Sequence, residues 1–125
     1  MAAMKEILGI MAFDQSIATD ELAEMRYQAT MRTGSPERFE RVFPQPYQRW
    51  ADAQVISDED LSNLNNDVLI LHGRDDCVVP VDISESLFRK IKNAQMHLFG
   101  NCGHWTQIEQ GPRFNALVLQ FLQES

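Results

Sequence analysis

The sequence has few cysteines, and they show no recognisable spacing. Only Cys77 and Cys102 are present among 125 residues, in separate predicted loops. Two cysteines so placed form neither a disulfide framework nor the ligand pattern of a zinc site. A reducing cytoplasm is therefore the expected compartment, and no metal site is predicted.

Long hydrophobic runs and basic clusters are also missing. The apolar stretch 7–13 is too short to span a bilayer, and it lacks the small-residue cleavage site that would favour the alternative of a signal peptide. The 11 lysines and arginines are scattered, and the formal net charge is −7. Neither nucleic acid nor a membrane is an expected partner, because both recruit clustered basic residues.

The pattern of apolar residues divides the chain near residue 66. Before that point every recognisable element is helical, and Met4 to Met11 carries apolar residues at helical spacing. Helix starts are predicted at Thr19, at Ser35 followed by proline, and at Ser57. We therefore predict two domains, a helical segment over 1–66 and a second unit over 67–125.

The second unit alternates strand and helix. An apolar run, Val68–Leu71, predicts a strand covered on both faces, and Met96–Phe99 predicts a second strand. Between them, residues 82–91 predict a helix that buries Ile83, and Pro112 opens a final helix. The fold class is therefore α/β, a βαβα unit with two parallel strands. Two strands leave open edges that favour pairing with further strands.

Each predicted strand is followed by a loop with a candidate catalytic side chain. Residues 73–80 contain Asp76, and residues 100–105 contain His104. Alone, the aspartate is better explained by an Asx-turn or a helix cap, and the histidine by an ordinary hydrogen bond. Because parallel strands end at one edge of the sheet, however, the carboxylate and the imidazole can meet as orienting acid and base.

Two sequence strings give these loops a family resemblance. HGRDDCVVP and FGNCGHWTQIE closely resemble the acid and histidine regions of meta-cleavage product hydrolases, which cleave carbon–carbon bonds within the α/β-hydrolase superfamily. The stretch from Phe13 to Tyr27 resembles the cap of that family. The resemblance implies a partial α/β-hydrolase fold, namely the cap and the last two strand–helix units, and 2-hydroxy-6-oxo-dienoate substrates from aromatic degradation.

The resemblance also implies roles for particular residues. Asp76 matches the catalytic acid and His104 the catalytic histidine. Trp105 matches a tryptophan that lines the substrate pocket, although core packing explains it as well. Arg26 matches the cap arginine that holds the substrate carboxylate, although a solvated surface arginine is the simpler alternative. No metal or organic cofactor is implied.

The sequence departs from the family in one essential motif. None of its serines lies in a G-x-S-x-G nucleophile elbow. Cys102 is a poor substitute, because the short backbone to His104 directs the two side chains apart. We therefore expect the chain to be inactive alone, with a small-molecule substrate bound only in the intact enzyme. The alternatives are a self-associating or partner-binding module, or a chain that a missing N-terminal half completes.

Overall fold

Helices dominate the chain. The computed structural model describes residues 2–32 and 35–124, without the side chains of 32, 35 and 36. The helices are α1 (Ala2–Met11), a 3-10 turn (Gln15–Ile17), α2 (Asp20–Arg32), α3 (Ser35–Val42), α4 (Gln48–Asp52), α5 (Asp58–Ser62), α6 (Val81–Lys90), α7 (Thr106–Glu109) and α8 (Gly111–Glu124), and the strands are β1 (Val68–Gly73) and β2 (Ala94–Phe99).

The predicted helix starts agree with the structure because capping is a local interaction. The Thr19 hydroxyl accepts a hydrogen bond from the Leu22 amide at 3.1 Å, and the Ser57 hydroxyl accepts one from the Asp60 amide at 3.1 Å. Each bond satisfies an amide that the first helical turn leaves unpaired. Helix α3 begins at Ser35 as predicted, but its capping side chain lies outside the described residues.

The two strands form the predicted parallel pair. Register runs from Val68 opposite Ala94 to Gly73 opposite Phe99, and α6 connects the strands. The predicted fold class is therefore confirmed. The register also places the carboxyl ends of both strands side by side, so that the loops following them start from the same edge.

The best-buried apolar residues lie between the helical segment and the second loop. Leu8 of α1, Ala18 and Ala23 form one buried cluster with Trp105, which follows the candidate histidine. Phe99 at the end of β2 is fully buried. Helices α1 and α2 are thus anchored against the loop that carries His104.

Three burial predictions were wrong, the third of them for Leu122, which helical spacing predicts on the apolar face of the last helix. Residues 68–71 of β1 are only half-buried, and Ile83 of α6 is 49% exposed. On α8, Leu122 is 65% exposed. A sheet of two strands is too narrow to cover the apolar faces of both α6 and α8, so residues with core-like character remain open to solvent. Within the described ranges, no helix has the length and apolarity needed to cross a membrane.

Candidate active site

The two loops after the strands are joined by backbone hydrogen bonds. The Arg74 amide donates to the Phe99 carbonyl at 2.8 Å, and the Asp75 amide donates to the Cys102 carbonyl at 3.0 Å. The Asp75 carboxylate in turn accepts from the Cys102 amide at 3.3 Å. These bonds extend the parallel pairing beyond the sheet and hold the acid loop against the histidine loop.

Gly73 permits this close approach. A Cβ atom at Gly73 would lie 2.0 Å from the Gly103 carbonyl oxygen and 2.5 Å from that of Cys102. Both distances are shorter than any tolerated contact, and both neighbours are backbone atoms that cannot rotate away. Glycine is therefore required where β1 ends, since only its missing side chain lets the two loops meet.

Asp76 uses its two carboxylate oxygens for different purposes. Oδ1 accepts hydrogen bonds from the Val78 amide at 2.7 Å and the Val79 amide at 3.0 Å, which is the Asx-turn considered from the sequence. Oδ2 lies 2.9 Å from Nδ1 of His104. The turn and the acid–histidine pair are thus not alternatives, because one carboxylate forms both.

The environment of Asp76 favours its ionised form. Its side chain is only 4% exposed, and this burial by itself raises the pKa. The hydrogen bonds from Val79, His104 and Val78 together outweigh burial and bring the pKa of Asp76 below its ordinary value. The carboxylate is therefore charged at neutral pH and can only accept at Oδ2.

His104 is consequently held in one tautomer. An ionised Asp76 requires Nδ1 of His104 to carry the proton, which leaves Nε2 as the acceptor. The backbone amide of His104 donates to the Met11 carbonyl at 2.8 Å, and the side chain is 33% exposed. The ring borders a cavity of about 180 Å³ that Asp76 and Thr106 also line.

His72 contacts the same carboxylate, a role that the sequence did not reveal. Its Nε2 lies 3.0 Å from the Val79 carbonyl and 3.5 Å from Oδ2 of Asp76. Because a carbonyl can only accept, Nε2 carries the proton, and Nδ1 accepts from the Ser84 hydroxyl at 2.7 Å. Ser84 lies on α6, so this buried chain ties the helix to the acid loop. The available signal was a histidine directly before the glycine that ends the strand.

Arg26 and Trp105 meet at a second cavity. The Arg26 guanidinium carbon lies 5.5 Å from the centre of the Trp105 ring, a cation–π distance. Both residues line a space of about 390 Å³, together with Met4, Ile7, Leu8, Met11, Ala29 and Thr30. Trp105 therefore belongs to the core and lines the cavity, and the exposed Arg26 has a defined neighbour. Trp105 directly follows His104 in sequence, and the two residues line different cavities.

Cys102 has the properties of a structural thiol. Its side chain is fully buried, and Sγ lies 3.9 Å from a carboxylate oxygen of Glu109. Burial and then the negative charge of Glu109 raise the pKa of Cys102 to about 11. The thiol stays protonated at neutral pH, which makes it a poor nucleophile, as predicted from the sequence.

The geometry of Asp76 and His104 suits proton transfer. Throughout the part of the chain that the structure describes, no group of three or more His, Cys, Asp or Glu side chains is arranged to hold a metal ion. The Asp76–His104 pair can take a proton at Nε2 of the imidazole and return it.

Comparison with known proteins places this pair in a family. The model of the alpha/beta hydrolase fold family matches residues 15–110, a range that contains Asp76, His104, Arg26 and Trp105. The chain is 48% identical over 119 residues to a 2-hydroxy-6-oxo-2,4-heptadienoate hydrolase of Pseudomonas putida, covering 95% of this chain and 43% of that protein.

A second relative is also a hydrolase. A 2-hydroxymuconate semialdehyde hydrolase of Pseudomonas sp. strain CF600 is 46% identical over 124 residues, covering 99% of this chain and 44% of that protein. The chain thus spans less than half the length of these relatives.

Solved structures agree with this assignment. The meta-cleavage product hydrolase CumD of Pseudomonas fluorescens IP01 superposes with a TM-score of 0.90 at 53% identity, over 97% of this chain and 44% of that one. The resemblance drawn from HGRDDCVVP and FGNCGHWTQIE is therefore confirmed. The chain belongs to the alpha/beta-hydrolase fold family, and the relatives described above are meta-cleavage product hydrolases.

Proposed function

We propose that this chain supplies the acid–histidine pair and the acid-binding cavity of a hydrolase that cleaves a carbon–carbon bond in 2-hydroxy-6-oxo-dienoates. One observation carries the proposal. Asp76 contacts His104 at 2.9 Å, and the next residue along the chain, Trp105, faces Arg26 across a cavity that both line. Consecutive residues thus belong to a proton-transfer pair and to a cation–aromatic pair, a combination that suits a planar, conjugated acid substrate.

In the proposed reaction each residue has a separate task. Ionised Asp76 fixes the tautomer and orientation of His104, whose Nε2 takes a proton from the attacking hydroxyl and returns it to the leaving carbon. The guanidinium of Arg26 donates paired hydrogen bonds to the substrate carboxylate and its neighbouring oxygen. Trp105 forms the wall against which the conjugated chain stacks.

The nucleophile comes from outside these 125 residues in this proposal. The sequence has no G-x-S-x-G, so we assign the serine and the oxyanion donors to the portion of the relatives that the chain does not span. Loss of such groups costs roughly two to six orders of magnitude in rate, so we expect no turnover from this chain alone.

The unpaired cysteines Cys77 and Cys102 support a reducing compartment such as the cytoplasm.

A chimaera tests this proposal. The chain is joined to the portion of the Pseudomonas 2-hydroxymuconate semialdehyde hydrolase that it does not span. Loss of the substrate chromophore, in which the dienoate is conjugated with the 6-oxo group, is followed by absorbance. We expect turnover in the chimaera and none in the chain alone. His104→Ala should abolish turnover, whereas His97→Gln, at a histidine away from the pair, should retain it. Turnover by the chain alone, or in the His104→Ala chimaera, contradicts the proposal.

A second candidate is a non-catalytic module that self-associates through its apolar faces. The exposed Leu119 and Leu122 of α8 and Ile83 of α6 favour it, because large apolar surfaces drive association. Sedimentation velocity separates the two candidates. A monodisperse monomer that unfolds cooperatively counts against the module, whereas a stable dimer without turnover in the chimaera supports it.

A further inference from the structure

The carboxylate of Glu109 joins two segments that are distant in sequence. Oε2 accepts hydrogen bonds from the Phe13 amide at 2.8 Å and the Asp14 amide at 3.1 Å. Oε1 accepts one from the Gly103 amide at 2.8 Å. Phe13 and Asp14 form the turn after α1, and Gly103 immediately precedes His104. The Glu109 side chain therefore binds the turn after α1 and the histidine loop simultaneously.

A second set of contacts makes this junction tight. The His104 amide donates to the Met11 carbonyl at 2.8 Å. A Cβ atom at Gly103 would lie 2.8 Å from the same carbonyl oxygen and 2.8 Å from the Phe13 nitrogen. Backbone thus lies directly against backbone. The His104 amide is held by the end of α1, and the Gly103 amide is held by Glu109, which also binds the turn after α1.

We propose that Glu109 is a positioning residue for His104, which it holds against the turn after α1. The inference rests on the proposed function, in which His104 is the base. It adds a link between the two cavities, because α1 packs against α2 and α2 carries Arg26. A displacement of the helical segment would move the turn at Phe13, and through Glu109 it would reach the imidazole.

Only a carboxylate meets the demands of this position. Its two oxygens face three backbone donors, and an ionised acceptor strengthens each bond. A glutamine of the same shape has one oxygen. Its amide group would point donors at Gly103 or at the Phe13–Asp14 pair, so one side of the junction would open while the other stayed bound. Glu109→Gln therefore breaks part of the hydrogen-bonded link while leaving the side-chain volume unchanged.

The test is hydrogen exchange measured by NMR on the full chain. The informative probe is the His104 amide, since its acceptor is Met11 and not Glu109. In Glu109→Gln we expect its exchange to accelerate on the order of ten- to a hundredfold, the effect of losing one charged hydrogen bond. The ¹⁵N signal of His104 Nδ1 should shift as its contact with Asp76 loosens. Amides of β1 such as Ile70 should keep their rates.

Matched variants define the outcomes. Glu85→Gln removes an exposed ion pair with Arg89 and should change neither probe. If the His104 amide and ring are unaffected by Glu109→Gln, or if all amides including Ile70 accelerate equally, the positioning role is refuted and Glu109 only stabilises the fold. If Glu109→Gln yields no dispersed spectrum, Glu109→Asp retains the charge on an arm too short for both sides, and the same result is expected.

The closing measurement distinguishes this inference from the proposed function. In the chimaera, Glu109→Gln should lower kcat about tenfold or more with a smaller change in KM, because the base and not the cavity is displaced. The exchange experiment needs no turnover. An altered His104 signal without activity in any chimaera would overturn the catalytic proposal alone, whereas an active chimaera that Glu109→Gln leaves unchanged would overturn the positioning role alone.

Discussion

Replacement of Gly73 by alanine tests whether the two loops of the site really lie in backbone contact. The added Cβ would lie 2.0 Å from the Gly103 oxygen and 2.5 Å from the Cys102 oxygen, whereas ordinary van der Waals contact begins at 3.4 Å. Neither oxygen belongs to a side chain that can turn aside. The loops must therefore separate by more than an ångström, or β1 must end earlier.

The cost of Gly73→Ala follows from what this separation breaks. Forcing an extra carbon into a filled space costs about 1–3 kcal/mol. The hydrogen bond between Asp76 and His104, at 2.9 Å, would be lost as well, and a bond to a charged group contributes about 1.5–3 kcal/mol. We expect the free energy of unfolding to fall by about 3–5 kcal/mol, a large part of the stability of a small domain.

Urea denaturation followed by circular dichroism measures this loss. The matched control is Gly111→Ala at the start of α8, where a Cβ meets nothing within 4 Å. There alanine should leave stability unchanged or raise it by up to about 1 kcal/mol, because alanine favours a helix. If Gly73→Ala and Gly111→Ala unfold at the same urea concentration, the close approach of the loops is not real.

Two further predictions concern pH. Because the pKa of Asp76 is below its ordinary value of 3.8, its ionised form stabilises the fold above about pH 4, and this contribution is lost as pH falls through the lowered pKa. The stability advantage of the wild type over Asp76→Asn should therefore shrink in acid, and an advantage that stays constant between pH 6 and 2 would contradict the assignment. For Cys102 the pH dependence of stability has the opposite sign, because a raised pKa makes stability fall as pH rises. Its pKa of about 11 lies above the ordinary 9.0, so about 2–3 kcal/mol of stability should be lost between pH 9 and 11 in the wild type but not in Cys102→Ala. In the native state a thiol reagent should label the exposed Cys77 at once and Cys102 slowly; equal rates would show that Cys102 is accessible.

The features that could be predicted from sequence are those decided by short-range rules. Thr19 and Ser57 cap helices because the amides that they bind lie three residues away. Asp76 and His104 could be paired because parallel strands end at one edge, a rule that needs only the element order. Helix α4 was not predicted, because Pro44 and Pro46 interrupt the helical pattern before it and no capping side chain marks its start at Gln48.

The features that could not be predicted depend on contacts between distant segments. The Glu109 carboxylate binds the amides of Phe13 and Asp14, which lie more than ninety residues away in sequence. No periodicity in the sequence indicates contacts between such distant residues. The exposure of Ile83 depends on the width of the sheet beneath α6, which the helix sequence does not contain. Gly73 was predicted to open the loop after the first strand, whereas in the structure it ends β1 and is constrained by the backbone of Cys102 and Gly103.

Asp76 and Trp105 each build the local fold and also form the candidate site, and this double role affects how a substitution at either residue is interpreted. Asp76 closes the turn to Val78 and Val79 with one oxygen and orients His104 with the other. Trp105 likewise belongs to the buried cluster and lines the cavity beside Arg26. A side chain that also builds its own loop is held rigidly, which favours catalysis by keeping the imidazole in place. Because Asp76 forms both contacts, Asp76→Ala would remove the turn hydrogen bonds and the charged partner of His104 together. Loss of activity in that variant would therefore not identify a catalytic acid, whereas Asp76→Asn, which retains an oxygen for the turn, isolates the charge that His104 requires.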